Sequence, residues 1–169
     1  MKRARSGVVA RLKNIRLLLL DVDGVLTDGG VYYSEDGDEM KKFNIQDGYG
    51  IVRVQRAGIV VGIITGRVSS IVTRRARELG ITHIRQNMED KVSAYEDILT
   101  SQGVTDAETA YIGDDEPDLP VLKRAGFSAA PADAVDAVRR SVSYVCKREG
   151  GRGAVREVID LILRSRRNV

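Results

Sequence analysis

The stretch between residues 17 and 28 constrains the fold of this chain more than any other part of its sequence. Four consecutive leucines run directly into Asp21, Asp23 and a glycine turn. An apolar run of this length that ends in a turn predicts a strand buried on both faces, as in a parallel sheet. Ligands bind at the carboxyl edge of such sheets, so both carboxylates are candidate site residues. Asp and Gly also form ordinary turns, and the stretch alone does not distinguish a turn from a site.

The rest of the chain alternates between apolar runs and amphipathic helical patterns. The runs typical of strands lie at residues 59–64, 81–85, 109–112, 127–129 and 144–146. This alternation predicts an α/β fold, a Rossmann-like, doubly wound parallel sheet with helices on both faces. Two short strand-like runs around Asp36 and Gly37 predict a β-hairpin over residues 31–43. We expect one domain over 15–169, preceded by a basic arm over 1–14.

Two helical patterns include residues of functional interest. One runs from Ile51 to Arg56, with Asp47 as its expected N-cap. The other has an apolar stripe, interrupted by the cationic Arg75. The stripe consists of Val68, Ile71, Val72, Ala76 and Leu79. An arginine at such a position is either a ligand contact or a side chain whose charged end reaches solvent at the edge of the stripe.

The composition argues against several classes of partner. The formal net charge is only +3, and much of the basic excess lies near the two ends. Basic clusters at chain ends are more often solvated tails than nucleic-acid-binding segments. The single cysteine, Cys146, excludes an internal disulfide framework and fits a reducing cytoplasm, where we expect the protein to act. The apolar run at 15–20 is too short to span a bilayer, and no export signal is visible. We therefore expect neither a membrane nor a nucleic-acid partner.

Polar side chains follow the strong strands at the points where these strands end. They are Asp21, Asp23 and Asp28, then Thr65, then Asp114, Asp115 and Asp118, with Lys91 at the start of the helix before the last group. Right-handed crossovers bring these ends to one edge of the sheet. Six carboxylates there repel one another unless a cation neutralises some of them, and oxygen donors favour Mg²⁺. A hydroxyl and an ammonium add the donors that a transferring phosphoryl group requires.

These motifs resemble those of the haloacid dehalogenase superfamily. The matching segments are DVDGVLT at 21–27, Thr65, Lys91 and GDDEPD at 113–118. The chain further resembles the capless 3-deoxy-D-manno-octulosonate 8-phosphate phosphatases in FNIQDGYGI at 43–51, ITGR at 64–67 and GGRGAVRE at 150–157. Together the matches cover nearly the whole chain from Arg16 to Leu163.

The resemblance implies a magnesium-dependent phosphatase of lipopolysaccharide precursor synthesis that acts through an aspartyl-phosphate. Asp21 would be the nucleophile, and Asp23 would protonate the leaving alkoxide and then activate water. Thr65 and Lys91 would bind the phosphoryl oxygens. The Asp21 side chain, the Asp23 main-chain carbonyl and Asp114 would hold the metal, with Asp115 and Asp118 as outer or additional ligands.

The resemblance also implies the substrate contacts, which would recognise a small phosphorylated sugar acid. They are Asn44, Ile45, Gln46, Asp47, Gly48, Arg67, Arg75 and Lys91. Arginines suit such a substrate because a guanidinium forks onto a carboxylate. Arg67 favours the eight-carbon acid, since related phosphatases for nonulosonate 9-phosphates tend to be acidic there. Val52 and Gln46 stand where relatives often carry basic residues, so one of the expected substrate contacts is left unassigned.

The short spacing between Asp28 and Thr65 leaves no room for a cap domain. The resemblance implies a homotetramer in which the hairpins pack centrally and neighbours cover one another's sites, and an isolated two-stranded hairpin is only marginally stable in water. The glycines of 150–153 allow either close approach to a ligand or partner, or an ordinary flexible loop.

Three other functions stay open at this point. They are a phosphatase for a nonulosonate 9-phosphate of the sialic-acid type, a phosphatase for nucleic-acid ends or phosphoproteins, and a non-catalytic oligomerisation module. The intact residues Asp21, Asp23, Lys91 and Asp114 argue against the last of these.

Overall fold

The computed structural model describes residues 11–167, with the side chains of 11–166, and contains a six-stranded parallel sheet and a separate hairpin. The strands are β1 (Leu17–Leu20), β2 (Tyr32–Tyr33), β3 (Glu39–Met40), β4 (Val60–Ile64), β5 (His83–Arg85), β6 (Thr109–Ile112), β7 (Phe127–Ala130) and β8 (Tyr144–Val145). The sheet order is β5-β4-β1-β6-β7-β8. β1 is therefore central, with Leu17 paired to Val60 on one side and to Thr109 on the other.

Helices cover both faces of the sheet. They are α1 (Ile45–Arg56), α2 (Ser70–Glu78), α3 (Lys91–Gln102), α4 (Leu119–Arg124), α5 (Asp136–Arg139) and α6 (Ala154–Arg167). Leu18 and Leu20 pack with residues of α1, α2 and α6, whereas Leu17 and Leu19 pack with residues of α3 and α4. Successive residues of a strand point to opposite faces, so a strand buried on both faces requires apolar residues at every position. The predicted α/β sheet is confirmed.

Three local predictions need correction. Helix α1 begins at Ile45, and its N-cap is Asn44, whose side-chain oxygen accepts a hydrogen bond of 2.7 Å from the Gln46 amide. Asp47 is thus not the N-cap of its own helix. Val68 precedes α2 and is 70% exposed, so it does not belong to the buried stripe.

The predicted hairpin forms as an antiparallel pair of two-residue strands. Tyr32 pairs with Met40, and the turn between the strands contains Gly37 at a φ of +86°. Residues 29–59 contain this hairpin and α1, so no cap domain separates β1 from β4. No helix in the described residues is long and apolar enough to cross a membrane.

The predicted basic arm is described only in part. Residues 1–10 lie outside the described part of the chain. Residues 11–13 are helical, and Leu12 is buried in the core that covers one face of the sheet.

Candidate active site

A cavity of about 520 Å³ lies at the carboxyl ends of β1 and its neighbours. Its lining includes the predicted catalytic and metal-binding residues Asp21, Asp23, Thr65, Lys91 and Asp114, together with Arg67, Asp115 and Asp118. Three separate strand ends therefore meet at one place, as parallel strands with right-handed crossovers require.

Lys91 connects the first and last of these strand ends. It is the first residue of α3, which Asp90 caps, and its side chain is only 6% exposed. Its Nζ lies 3.1 Å from Asp21 Oδ1 and 2.7 Å from Asp118 Oδ1. Burial acts to lower the pKa of Lys91, but the two carboxylates outweigh burial and raise the pKa above its ordinary value. Lys91 therefore stays cationic beside Asp21, the predicted nucleophile.

Asp118 is fully buried and uses both carboxylate oxygens within the protein. Oδ1 accepts hydrogen bonds of 2.7 Å from both the Tyr111 hydroxyl and Lys91 Nζ. Oδ2 accepts from the backbone amides of Asp114 and Asp115, at 3.0 and 3.3 Å. Asp118 thus orients Lys91 and the loop that carries Asp114.

Asp21 and Asp114 experience strong electrostatic crowding. Carboxylate oxygens of Asp21, Asp114 and Asp118 all lie within 4.8 Å of one another. Burial, followed by the charge of Asp118, raises the pKa of Asp21 from 3.8 to about 7. Burial, followed by the charge of Asp21, raises the pKa of Asp114 to about 8. A cation between these groups would reverse both shifts.

The surroundings of Asp114 fit a metal ion. Its buried Oδ1 has no hydrogen-bond partner among the described residues. A Cβ at Gly24 would lie 2.0 Å from Asp114 Oδ2, so a glycine at this position leaves room for the carboxylate. A buried, unpartnered carboxylate oxygen beside a second carboxylate is a donor set suited to a hard divalent cation such as Mg²⁺.

The hairpin also contributes to this site, which sequence reasoning did not predict. Lys41 lies directly after β3, and its Nζ is 2.5 Å from Asp23 Oδ1. Glu39 accepts a hydrogen bond of 2.7 Å from Arg67. Glu39 and Lys41 are two residues apart and therefore share one face of an extended strand, but this spacing alone does not indicate contact with Asp23 or Arg67.

Most of the predicted substrate contacts lie outside this cavity in a single chain. Arg67 and Lys91 line it, whereas residues 44–48 and Arg75 do not. Arg75 contacts the Phe43 ring, with 5.8 Å between the guanidinium carbon and the ring centroid, and it forms an ion pair with Glu78. A Cβ at Gly48 would lie 2.4 Å from Arg75 Nη2, so Gly48 makes room for this arginine.

Residues 44–47 begin α1 and pack beside the start of α6. Ile45 is 84% exposed and Gln46 is exposed, so both are open to a partner or ligand. Asn44 donates a hydrogen bond to the Gly151 carbonyl. Both oxygens of the buried Asp47 accept backbone hydrogen bonds, from Gly153 at 3.2 Å and Arg156 at 2.7 Å. Asp47 therefore caps α6.

The glycine loop at 150–153 packs against the turn that follows β1. A Cβ at Gly150 would lie 1.8 Å from the Gly24 carbonyl oxygen, and the Gly151 amide donates a hydrogen bond of 3.0 Å to the Val25 carbonyl. The close approach that these glycines allow is thus to the turn after β1 in the same chain.

Known proteins match the chain in sequence and structure. Residues 81–159 match the haloacid dehalogenase-like hydrolase family. The chain is 47% identical over 158 residues to the 3-deoxy-D-manno-octulosonate 8-phosphate phosphatase KdsC of Escherichia coli, covering 94% of this chain and 84% of the relative.

Solved structures agree with this match. The crystal structure of 3-deoxy-D-manno-octulosonate 8-phosphate phosphatase from Yersinia pestis superposes with a TM-score of 0.94 at 46% identity, covering 95% of this chain and 87% of that chain. The Moraxella catarrhalis phosphatase, in complex with magnesium ion, phosphate ion and a KDO molecule, gives a TM-score of 0.93 at 42% identity, covering 95% and 92%.

Proposed function

The chain belongs to the 3-deoxy-D-manno-octulosonate 8-phosphate phosphatase family of the haloacid dehalogenase-like hydrolases, and from this we infer that it hydrolyses that sugar phosphate. The products are 3-deoxy-D-manno-octulosonate and phosphate, and the cofactor is Mg²⁺. The observation that carries the assignment is the pairing of Asp21 with Lys91, 3.1 Å apart, beside the unpartnered oxygen of Asp114. This arrangement combines a nucleophile, a cation and a metal position.

We propose that the reaction proceeds in two displacements. Asp21 attacks phosphorus, and the ester P–O bond breaks as Asp23 gives its proton to the leaving alkoxide. Asp23 then takes a proton from water, whose oxygen attacks the phosphorus of the aspartyl-phosphate and releases phosphate. The Thr65 hydroxyl and the Lys91 ammonium bind the phosphoryl oxygens throughout.

Three groups are proposed to hold the metal: the Asp21 carboxylate, the main-chain carbonyl of Asp23, and Asp114. When bound, Mg²⁺ supplies positive charge that offsets these carboxylates and the charge of the phosphoryl group.

A phosphate-release assay tests this function. We expect magnesium-dependent turnover of 3-deoxy-D-manno-octulosonate 8-phosphate that EDTA abolishes, and slower turnover of nonulosonate 9-phosphates and generic phosphoesters.

Asp21→Asn is expected to lower kcat by about a thousandfold or more, because the amide does not replace the nucleophile. The matched control is Asp97→Asn, on the exposed face of α3. Equal turnover of all phosphoesters would contradict the substrate assignment, and an active Asp21→Asn would contradict the mechanism.

Arg67 is the proposed contact within the cavity for the carboxylate of the sugar acid. Its guanidinium is partly exposed and pairs with Glu39, at the edge of the cavity that contains Asp21. We propose that residues 44–46 and Arg75 serve the site of a neighbouring chain, since they lie outside the cavity of their own chain, and that the buried Asp47 and Gly48 hold this segment in place. Arg67→Glu is expected to shift preference toward nonulosonate 9-phosphates, as measured by the ratio of kcat/KM values.

We also propose a homotetramer with the hairpins at its interface. Support comes from large apolar side chains that the hairpin leaves exposed, namely Val31, Tyr32, Tyr33 and Met40. A two-stranded sheet has too little core to be stable without further packing. Light scattering is expected to give the mass of a tetramer for the parent protein. The double variant Tyr33→Glu, Met40→Glu is expected to have a lower mass. A monomer mass for the parent protein at assay concentration would contradict this.

Finally, we propose that the reaction belongs to lipopolysaccharide precursor synthesis in the cytoplasm. The substrate named for the relatives and the buried, unpaired cysteine Cys146 support this setting. Accumulation of the phosphorylated acid in cells depleted of the protein would test it.

A further inference from the structure

Lys41 is a buried cation supplied by the hairpin. Its side chain is only 2% exposed, although lysine is almost never buried unless it is paired. Its Nζ lies 2.5 Å from Asp23 Oδ1 and 3.4 Å from Glu39 Oε1. Two carboxylates therefore compensate one buried ammonium, and the geometry of all three is linked.

Glu39 attaches the same strand to a second catalytic loop. Its Oε1 accepts a hydrogen bond from Arg67, and its Oε2 accepts one of 3.2 Å from the Ser69 hydroxyl. Arg67 and Ser69 lie between β4 and α2, in the loop that follows Thr65. Two neighbouring side chains of the hairpin thus contact the turn after β1 and the loop after β4.

The Asp23 carboxylate depends on Lys41 for its orientation. About a quarter of the Asp23 side chain is exposed, and Lys41 is the one group in residues 11–167 that donates a hydrogen bond to its carboxylate. The nearest Arg67 nitrogen is 3.9 Å away, beyond hydrogen-bond distance. Without Lys41, the carboxylate would keep only the longer ion pair with Arg67 and no hydrogen bond to fix its orientation.

We propose that Lys41 is a positioning residue for the reaction: it holds Asp23 where its carboxyl reaches the leaving oxygen, and Glu39 holds Lys41. This inference rests on the proposed phosphatase function. It assigns the hairpin a part in the chemistry of its own chain, in addition to any role in assembly. A misoriented general acid loses most of its effect, because proton transfer requires hydrogen-bond geometry.

The choice of leaving group separates this role from a structural one. An alkoxide leaves slowly without a proton, whereas p-nitrophenolate leaves readily without one. Since kcat/KM covers the steps up to departure of the leaving group, it reports on the acid function of Asp23. The sugar-acid phosphate, glycerol phosphate and p-nitrophenyl phosphate are therefore compared in the magnesium-loaded protein.

Lys41→Met keeps an unbranched side chain that is one atom shorter and removes the charge. We expect kcat/KM for the two alkyl phosphates to fall by about a hundredfold and that for p-nitrophenyl phosphate to fall only a few-fold. The inhibition constant of inorganic phosphate should be unchanged. Lys41→Arg should restore part of the loss, and Lys42→Met, at the exposed neighbouring position, should behave as the parent.

Other results of this experiment would contradict either the role of Lys41 or the phosphatase function itself. Equal losses for alkyl and aryl phosphates, or no loss, would overturn the role of Lys41 while leaving the phosphatase function intact. A parent protein that hydrolyses no phosphoester with magnesium would overturn both. If Lys41→Met does not fold, Glu39→Gln is used in its place. This substitution weakens the ion pair that holds Lys41, so kcat/KM for the alkyl phosphates should again fall selectively, by a smaller factor.

Discussion

Asp118 shows how a single buried carboxylate organises this site. One of its oxygens lies near those of Asp21 and Asp114, so proximity alone would include it among the metal ligands. Its hydrogen bonds from Tyr111, Lys91 and two backbone amides use all four acceptor positions of a carboxylate. Asp118 therefore holds the groups that are proposed to contact substrate and metal.

Tyr111→Phe tests this arrangement by removing one hydroxyl. We expect the free energy of unfolding to fall by about 1.5–3 kcal/mol, because the lost hydrogen bond joins a buried hydroxyl to a charged group. We also expect kcat to fall, because Lys91 then has a less fixed partner. Urea unfolding and the phosphate-release assay measure the two effects.

Tyr95→Phe is the matched control for Tyr111→Phe. Tyr95 is also buried and donates to a carboxylate, but its partner Asp106 lies outside the cavity, whereas Asp118, the partner of Tyr111, lines it. The Tyr95→Phe variant should have a lower free energy of unfolding and the same kcat as the parent protein. Equal kcat values for the two variants would show that the hydroxyl of Tyr111 contributes only to stability.

At the scale of elements, the turn after β1 is supported by a loop from the far end of the chain. The loop at 150–153 precedes α6, whose start is capped by Asp47 of α1. Its glycines then lie directly against Gly24 and Val25. The position of the Asp23 backbone thus depends on the packing of α1 and α6.

Gly150→Ala is expected to disturb this contact. The added Cβ would overlap the Gly24 carbonyl, so the turn must shift, at a cost of about 1–3 kcal/mol, and kcat should fall with it. Gly58→Ala is the control: Gly58 has a φ of +82° and open space around it, so alanine there costs about 1–2 kcal/mol of backbone strain. Thermal unfolding and turnover are compared. Full turnover by Gly150→Ala would contradict a positioning role for the loop.

For the whole molecule, the sequence predicts those features that local patterns encode. Four leucines in a row predict a strand buried on both faces, and polar residues after three strands predict their meeting at one edge. These predictions are confirmed because strand direction and crossover handedness leave few alternatives. The hairpin is also confirmed, because its formation depends on a turn encoded by neighbouring residues.

Contacts between distant segments were not predictable in this way. Asp47 has the residue type of an N-cap, but it caps α6, more than 100 residues away, while Asn44 caps α1. Lys41 reads as a surface charge in a hairpin, and only the docking of that hairpin on the site makes it a buried partner of Asp23. The residue types thus indicate which side chains form hydrogen bonds and ion pairs, whereas their partners depend on tertiary packing.

Crowded carboxylates make the stability of the whole molecule depend on pH and on metal. In the absence of metal, folded Asp21 and Asp114 keep protons up to about pH 7 and 8, whereas the unfolded chain releases them near pH 3.8. The folded state therefore binds more protons between these values. The contribution of these two groups to the free energy of unfolding falls as pH rises through this window.

Magnesium should reverse this trend, because it binds the ionised carboxylates and displaces their protons. We expect the magnesium-induced rise in Tm to be small near about pH 5 and to grow toward about pH 8, where a hundredfold excess over Kd contributes about 2.7 kcal/mol. Asp114→Asn should abolish the rise and weaken the pH dependence without metal, because only the contribution of Asp21 then remains, while Asp97→Asn should leave both unchanged. Thermal unfolding across this pH range, with magnesium or EDTA, measures these effects. A rise in Tm of equal size at both ends of the range would show that the metal does not bind through Asp21 and Asp114.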